Sequence, residues 1–382
     1  MKRLLCLFIV CALFLAACGG GDTGTIIPDP ASPAELTTPQ ATPEVEEAEL
    51  LRVIATVFPQ YDFVRQIAGD RVELSMLISP GAEPHAFEPT PRDIIALDEA
   101  DLFIYVGGHE DAWLEAILAS LANQTLYRVA LVDLVETLEV GHDHDHDHGH
   151  SHGHDHGHSH SHTHAHSHDH DDDCDDEECD DPAHSHDHDE DCDDEECDDP
   201  DHHHHHHDVD EHVWTSPRNA ILIVQALTDV LVELDAANAE FFRANAAAYI
   251  AELEALDAAF AEVVEEAVRH TVVFGDRFPF LYLMEAYGLH AYAAFVGCGS
   301  ETQATPTTIA MLIEKVQAEE IPVVFYIEFS TQLIANVIQE ATGARLLELH
   351  SAHNVSAADF AAGVTYLDLM WQNLEHLREA LS

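Results

Sequence analysis

From Leu51 onward the chain alternates short apolar runs with stretches of helical periodicity, once on each side of an uninterrupted helical pattern from about Ala239 to Val268. That alternation is the strongest limit on the fold. Parallel strands need crossover connections, which helices supply, so a βα rhythm predicts parallel sheets with flanking helices. Strands are expected at Arg52–Thr56, Val72–Ile78, Leu102–Val106 and Leu126–Ala130, then at Thr271–Phe274, Ala291–Phe295, Val323–Ile327 and Arg345–Leu349. Helices are expected from about Gln60 to Ala68, from Pro91 behind a Thr90 cap, through Trp113 to about Ala122, and from Pro217 to Leu234. In the second half they run from about Phe280 to Tyr287, Pro306 to Glu319 and Thr331 to Thr342, with Ser356 to Leu381 as one amphipathic closing helix. The long helix carries Phe242, Ala246, Tyr249, Leu253, Leu256 and Phe260 at threes and fours. At 1.5 Å per residue its ~30 residues reach ~45 Å, longer than one compact lobe requires, so it can tie two lobes together.

The rhythm is interrupted by a segment that cannot build a core. Twenty-four of the 32 histidines lie between His142 and His207, every even position from His142 to His170 is His, and CDDEECDDP occurs at Cys174–Pro182 and again at Cys192–Pro200. With almost no apolar residues to fix a backbone, this run reads as a disordered insert at about 141–209. Its chemistry is that of a metal collector. Neutral imidazole suits Zn and its neighbours, and paired thiolates favour Zn or Cu(I), with Cys174, Cys179, Cys192 and Cys197 acting as ligands only if reduced. His142, His144, His146, His148, His150, His202, His204 and His206 represent the auxiliary collecting positions. Protons compete for imidazole near its reference pKa of about 6.5, so collection should weaken below that pH. The formal charge of -59 at pH 7 excludes nucleic acid as a partner and favours cations.

Lys2 and Arg3, an apolar stretch from Leu4 to Leu15 and then Leu15-Ala16-Ala17-Cys18 read as a signal peptide over 1–17, ending in a pattern that resembles a bacterial lipobox. Cys18 would carry the lipid, and the Pro-, Thr- and Glu-rich residues 18–49 would form a tether from the membrane.

In open α/β sheets ligands bind beyond the carboxyl ends of strands. His85 sits there in a Pro-bracketed loop after the second strand, and His212 lies just before a helix. His350 and His353 follow the last strand, Asp276 the fifth, Cys298 the sixth and Glu328 the seventh. A single His at such a place is ordinarily a surface or capping residue, whereas several at equivalent strand ends point to a metal. A zinc hydrolase is disfavoured: no His-Glu-x-x-His occurs, since His109-Glu110-Asp111-Ala112-Trp113 lacks the second His. No enzymatic activity is expected.

Together the lipobox, PGAEPHAFEPT, DEHVWTSPRNA after a His-rich insert, NAAAYIAELEALD on the long helix and HNVS near the end resemble the zinc/manganese class of ABC-transporter solute-binding lipoproteins, over Leu51 to Ser382. The resemblance implies two α/β lobes, each a mainly parallel sheet with flanking helices, joined by one long rigid helix. The lobes would span 50–234 and 271–382, with the linking helix at 235–270. It implies one metal in the interlobe cleft, held by three His and a carboxylate, and delivery of that metal to a permease and its ATPase by a monomer. His85 and His212 match the first two ligands. The third departs from the pattern: Phe274-Gly275-Asp276 has glycine where many members have His. The fourth also departs, falling near His350. The expected site is therefore His85, His212 and His350, with Asp276 as the first choice for the fourth place and Glu328, Cys298, His353 or water as alternatives. Three imidazoles and one oxygen suit Zn2+; Mn2+ would want more oxygens. The rival reading is a passive surface metal buffer or adhesin whose function is the insert alone.

Overall fold

The computed structural model describes residues 50–108, 112–139, 209–295 and 304–382. The signal peptide, Cys18, the tether, the collecting histidines, the four insert cysteines and Cys298 lie outside the described residues.

The first sheet contains β1 (Leu51–Ala55), β2 (Val72–Met76), β3 (Leu102–Tyr105) and β4 (Tyr127–Ala130) in the order β2-β1-β3-β4. The second repeats that order with β5 (Thr271–Phe274), β6 (His290–Ala293), β7 (Val323–Tyr326) and β8 (Arg345–Glu348) as β6-β5-β7-β8. Every pairing is parallel. Strand order reverses direction beside β1 and again beside β5, and the carboxyl edge of a sheet at such a reversal is where α/β proteins bind ligands.

Ten helices cover the faces among the described residues. Those of the first half are α1 (Phe58–Ala68), α2 (Pro91–Asp98), α3 (Ala112–Ser120) and α4 (Pro217–Leu234). Next comes α5 (Ala239–Glu265), followed by α6 (Leu281–Tyr287), α7 (Pro306–Ala318), α8 (Leu333–Thr342), α9 (Ala357–Ala362) and α10 (Tyr366–Leu381). Local chemistry explains their ends. Thr90 and Asp93 form a reciprocal capping box ahead of Pro91, and Gly343 closes α8 in the left-handed region at φ 79°. The closing segment is two helices rather than the expected one. Gly363 at φ 78° ends α9, and Thr365 with Asp368 builds a new capping box that restarts the chain as α10. Gly followed by Thr-x-x-Asp was a stop-and-start signal already present in the sequence.

The 27-residue α5 buries the stripe expected of it, with Val263 and Val264 added at its end. It packs on α1 of the first lobe, on α10 of the second and along α4. One continuous core runs from β1 through Trp214 and α5 to Phe274 and Tyr366. The outer sheet faces are covered separately, the second by α7 and α8 and the first by α2 and α3. No helix among the described residues is long and apolar enough to cross a membrane.

Candidate metal centre

Three histidines from distant parts of the chain converge at the carboxyl edges of the two sheets. His85 is the middle residue of a 3-10 turn, Pro84–Ala86, at the end of the loop after β2. This loop is stitched to the second lobe: Gly81 N–H donates to the Val355 carbonyl at 2.8 Å, and Asn354 Nδ2 donates to the carbonyls of Ser79 at 3.0 Å and Ala82 at 2.9 Å.

His212 is buried ahead of the short 3-10 turn that leads into α4. Asp210 Oδ1 accepts from its backbone N–H at 2.8 Å and lies 3.1 Å from its Nδ1. A carboxylate oxygen accepts, so Nδ1 carries the proton and Nε2 is the nitrogen that can bind a metal.

His353 comes from the loop after β8. The Phe58 N–H donates to its carbonyl at 3.2 Å, its own N–H donates to Ser351 Oγ at 3.2 Å, and its ring lies 5.1 Å from that of Trp214. Trp214 is held in turn by donating from Nε1 to the Ser351 carbonyl at 2.9 Å. Burial pushes the His353 imidazole well below its ordinary pKa, and His212, His85 and Arg277 push in the same direction, so it is neutral at physiological pH.

Ring centroids are 4.9 Å apart for His85 and His353, 5.2 Å for His212 and His353, and 5.9 Å for His85 and His212. One nitrogen from each of the three lies within 4.8 Å of the others. Nitrogens sharing a tetrahedral zinc at about 2.0–2.1 Å stand about 3.3 Å apart, so at most about an ångström and a half of closure separates the three from a coordinating geometry. The cavity they line has a volume of about 20 Å³, room for one water-sized body.

Of the expected ligands, the structure brings His85 and His212 together, and with them His353 instead of His350. His350 is turned away: its Nδ1 accepts from the Ala352 N–H at 2.9 Å, its N–H donates to Asn373 Oδ1 at 2.7 Å, and it lines a separate cavity of about 360 Å³ beside Glu348 and Asp359. The reversal occurs at Ala352, a non-glycine at φ 60°.

Asp276 also faces elsewhere. Its Oδ1 accepts from the Arg277 N–H at 2.9 Å and its Oδ2 from the Ser330 hydroxyl, and it does not line the cavity. Glu328 does line it, though both its oxygens accept from Ser351, one from the N–H at 2.8 Å and the other from the hydroxyl. Glycine is required at 275, because a Cβ there would stand 2.5 Å from the Cα of Ala335 in α8.

Sequence reasoning missed Glu83 and Arg277. They line the cavity from opposite lobes as a two-pronged ion pair, Nη1 to Oε1 at 3.2 Å and Nη2 to Oε2 at 3.3 Å. No local pattern could reveal a pair 194 residues apart. Asp210 was missed as the partner of His212, although Asp-x-His was visible.

A family model described as zinc-uptake complex component A, periplasmic (ZnuA), matches residues 53–380. The zinc-binding lipoprotein AdcA of Streptococcus pneumoniae is 26% identical over 386 residues, covering 99% of this chain and 61% of that protein. The chain thus spans about three-fifths of the length of this streptococcal relative. The high-affinity zinc uptake system protein ZnuA of Bacillus subtilis is 26% identical over 380 residues, covering 98% of this chain and 97% of the relative. Among solved structures, Zn(II)-bound AdcA from Streptococcus pneumoniae superimposes with a TM-score of 0.62 at 25% identity, over 87% of this chain and 58% of that one. A Mn-bound periplasmic metal binding protein from candidatus liberibacter asiaticus gives 0.63 at 18% identity, over 87% and 100%, a likeness of fold alone.

Proposed function

Because the chain belongs to the ZnuA family, that of the periplasmic component A of a zinc-uptake complex, we propose that it captures one zinc ion between its lobes and delivers it to an ABC permease driven by an ATPase. It works outside the cytoplasmic membrane, tethered by a lipid on Cys18, as a carrier rather than an enzyme. The observation that carries the reading is the convergence of His85, His212 and His353 on a cavity that holds one small body.

Zinc is the cargo this donor set suits. Three neutral imidazoles leave one tetrahedral position, and zinc takes nitrogen ligands in that geometry, whereas Mn2+ favours oxygen-rich sites. Each ligand must be deprotonated to bind. Asp210 fixes His212 in the required tautomer, and the burial of His353 keeps it neutral. Glu328 is the carboxylate best placed to fill the fourth position if it exchanges a Ser351 hydrogen bond for the ion. The His-rich insert raises the local zinc concentration near the cleft by weak, multiple binding.

Calorimetric zinc titration of the mature chain, with and without residues 141–208, tests this reading. One tight equivalent should survive the deletion while the weak, multiple binding disappears. Loss of all zinc binding on deletion would instead support a surface buffer acting through the insert alone.

A further inference from the structure

The two points where the insert leaves and rejoins the fold are pinned to each other and to the second lobe. Glu139 and Val209 form an isolated antiparallel bridge, and the Asp210 N–H donates to the Leu138 carbonyl at 2.9 Å. The hydroxyl of Tyr282, a buried residue of α6, joins both feet: it donates to the Asp210 carbonyl at 2.7 Å and accepts from the Leu138 N–H at 3.1 Å. Asp210 is the residue whose side chain orients His212. We infer that Tyr282 is a positioning residue for the cleft site: it locks the returning segment at Asp210 so that Asp210 holds the His212 Nδ1–H and turns Nε2 toward His85 and His353.

The inference rests on the reading of His212 as a zinc ligand. A ligand imidazole depends on its outer partner for orientation, and loss of that partner costs about 10–100-fold in metal affinity. Tyr282 acts one hydrogen bond further out, on the backbone of that partner. Its removal leaves Asp210 in place but frees the peptide that aims it, and leaves the Leu138 N–H without its acceptor. It also separates the site from the insert: with both feet fixed at one hydroxyl, changes in the insert need not reach His212.

The test is Tyr282→Phe in the full chain, which removes one oxygen and keeps the ring. Tyr287→Phe is the control. Tyr287 is a second buried tyrosine of the same helix, and its hydroxyl donates to Asp257 Oδ1 at 2.8 Å, outside the cavity lining. Zinc affinity by chelator competition should weaken about 10-fold in Tyr282→Phe and stay within about twofold of wild type in Tyr287→Phe, even if the two lose similar thermal stability. In the metal-free protein, a His212 Nδ1–H resonance, assigned by its absence in His212→Ala, should be visible in wild type, persist in Tyr287→Phe and broaden or vanish in Tyr282→Phe. An unchanged affinity together with an unchanged His212 resonance in Tyr282→Phe would overturn the inference, as would equal affinity losses in both variants. If wild type itself bound no zinc in the cleft, the functional reading would fail, and the His212 resonance would still decide the role of Tyr282.

Discussion

The choice between His350 and His353 turns on one backbone angle. Both histidines follow β8 within five residues of its end, and sequence alone favoured His350. Ala352 at φ 60° reverses the chain between them, aiming His353 at the cleft and folding His350 back onto the Ala352 N–H. Alanine is not a residue that announces a left-handed conformation, so nothing local signalled the turn. His85 was legible because prolines bracket it, and His212 because it closes an Asp-Glu-His segment at the end of the insert. His353→Ala should therefore weaken zinc binding by more than about 100-fold, beyond what outer partners cost, while His350→Ala stays within about threefold. Calorimetry on the insert-deleted chain measures both; equal losses would remove His353 from the site. The depressed pKa of His353 also has a consequence for stability. In the unfolded chain it titrates near about 6.5 and in the folded chain well below, so between those values only the unfolded state holds the proton. Stability from this group is full above about pH 6.5 and falls as pH drops toward the folded value, by up to about 1.4 kcal/mol per pH unit. Urea unfolding of the metal-free protein should show a shallower acid decline in His353→Asn than in wild type, and parallel slopes would refute the assignment.

Elements are where the sequence was most readable. Among the described residues the βα rhythm located all eight strands and the long helix because period and length are local properties, and α5 buries the stripe its spacing dictated. What periodicity could not supply is how elements approach one another. Gly275 looked like a lost ligand; in the fold it is the point where α8 crosses the end of β5, with Ala335 backbone where a side chain would stand. Gly275→Ala should destabilise the protein by about 1–3 kcal/mol, because backbone cannot move aside as the tip of a flexible side chain can. Thermal or denaturant unfolding reads this directly, and an unchanged midpoint would mean that α8 is not fixed against β5. The break between α9 and α10 at Gly363 was missed for a different reason. The capping residues were present, but an amphipathic pattern running across them hid the interruption.

At the scale of the whole molecule, the lobes are held against each other by hydrogen bonds that converge on the cleft. Asn354 grips the loop bearing His85, Trp214 bonds to Ser351, and the Tyr366 hydroxyl donates to the Trp214 carbonyl at 2.6 Å. The proposed site takes residues from both lobes, so zinc binding there would couple to the stability of the entire fold. Zinc at 100 times its dissociation constant should add about 2.7 kcal/mol to the unfolding free energy and raise the melting temperature, an effect lost in His353→Ala. The proposed function requires that one zinc ion be held by three particular imidazoles and not by the insert. Anomalous diffraction at the zinc edge from crystals of the zinc-loaded full chain tests it most directly. One strong peak is expected in the cleft, about 2.0–2.1 Å from a nitrogen of each of His85, His212 and His353. A peak bound by His350 instead, or no peak between the lobes, would contradict it.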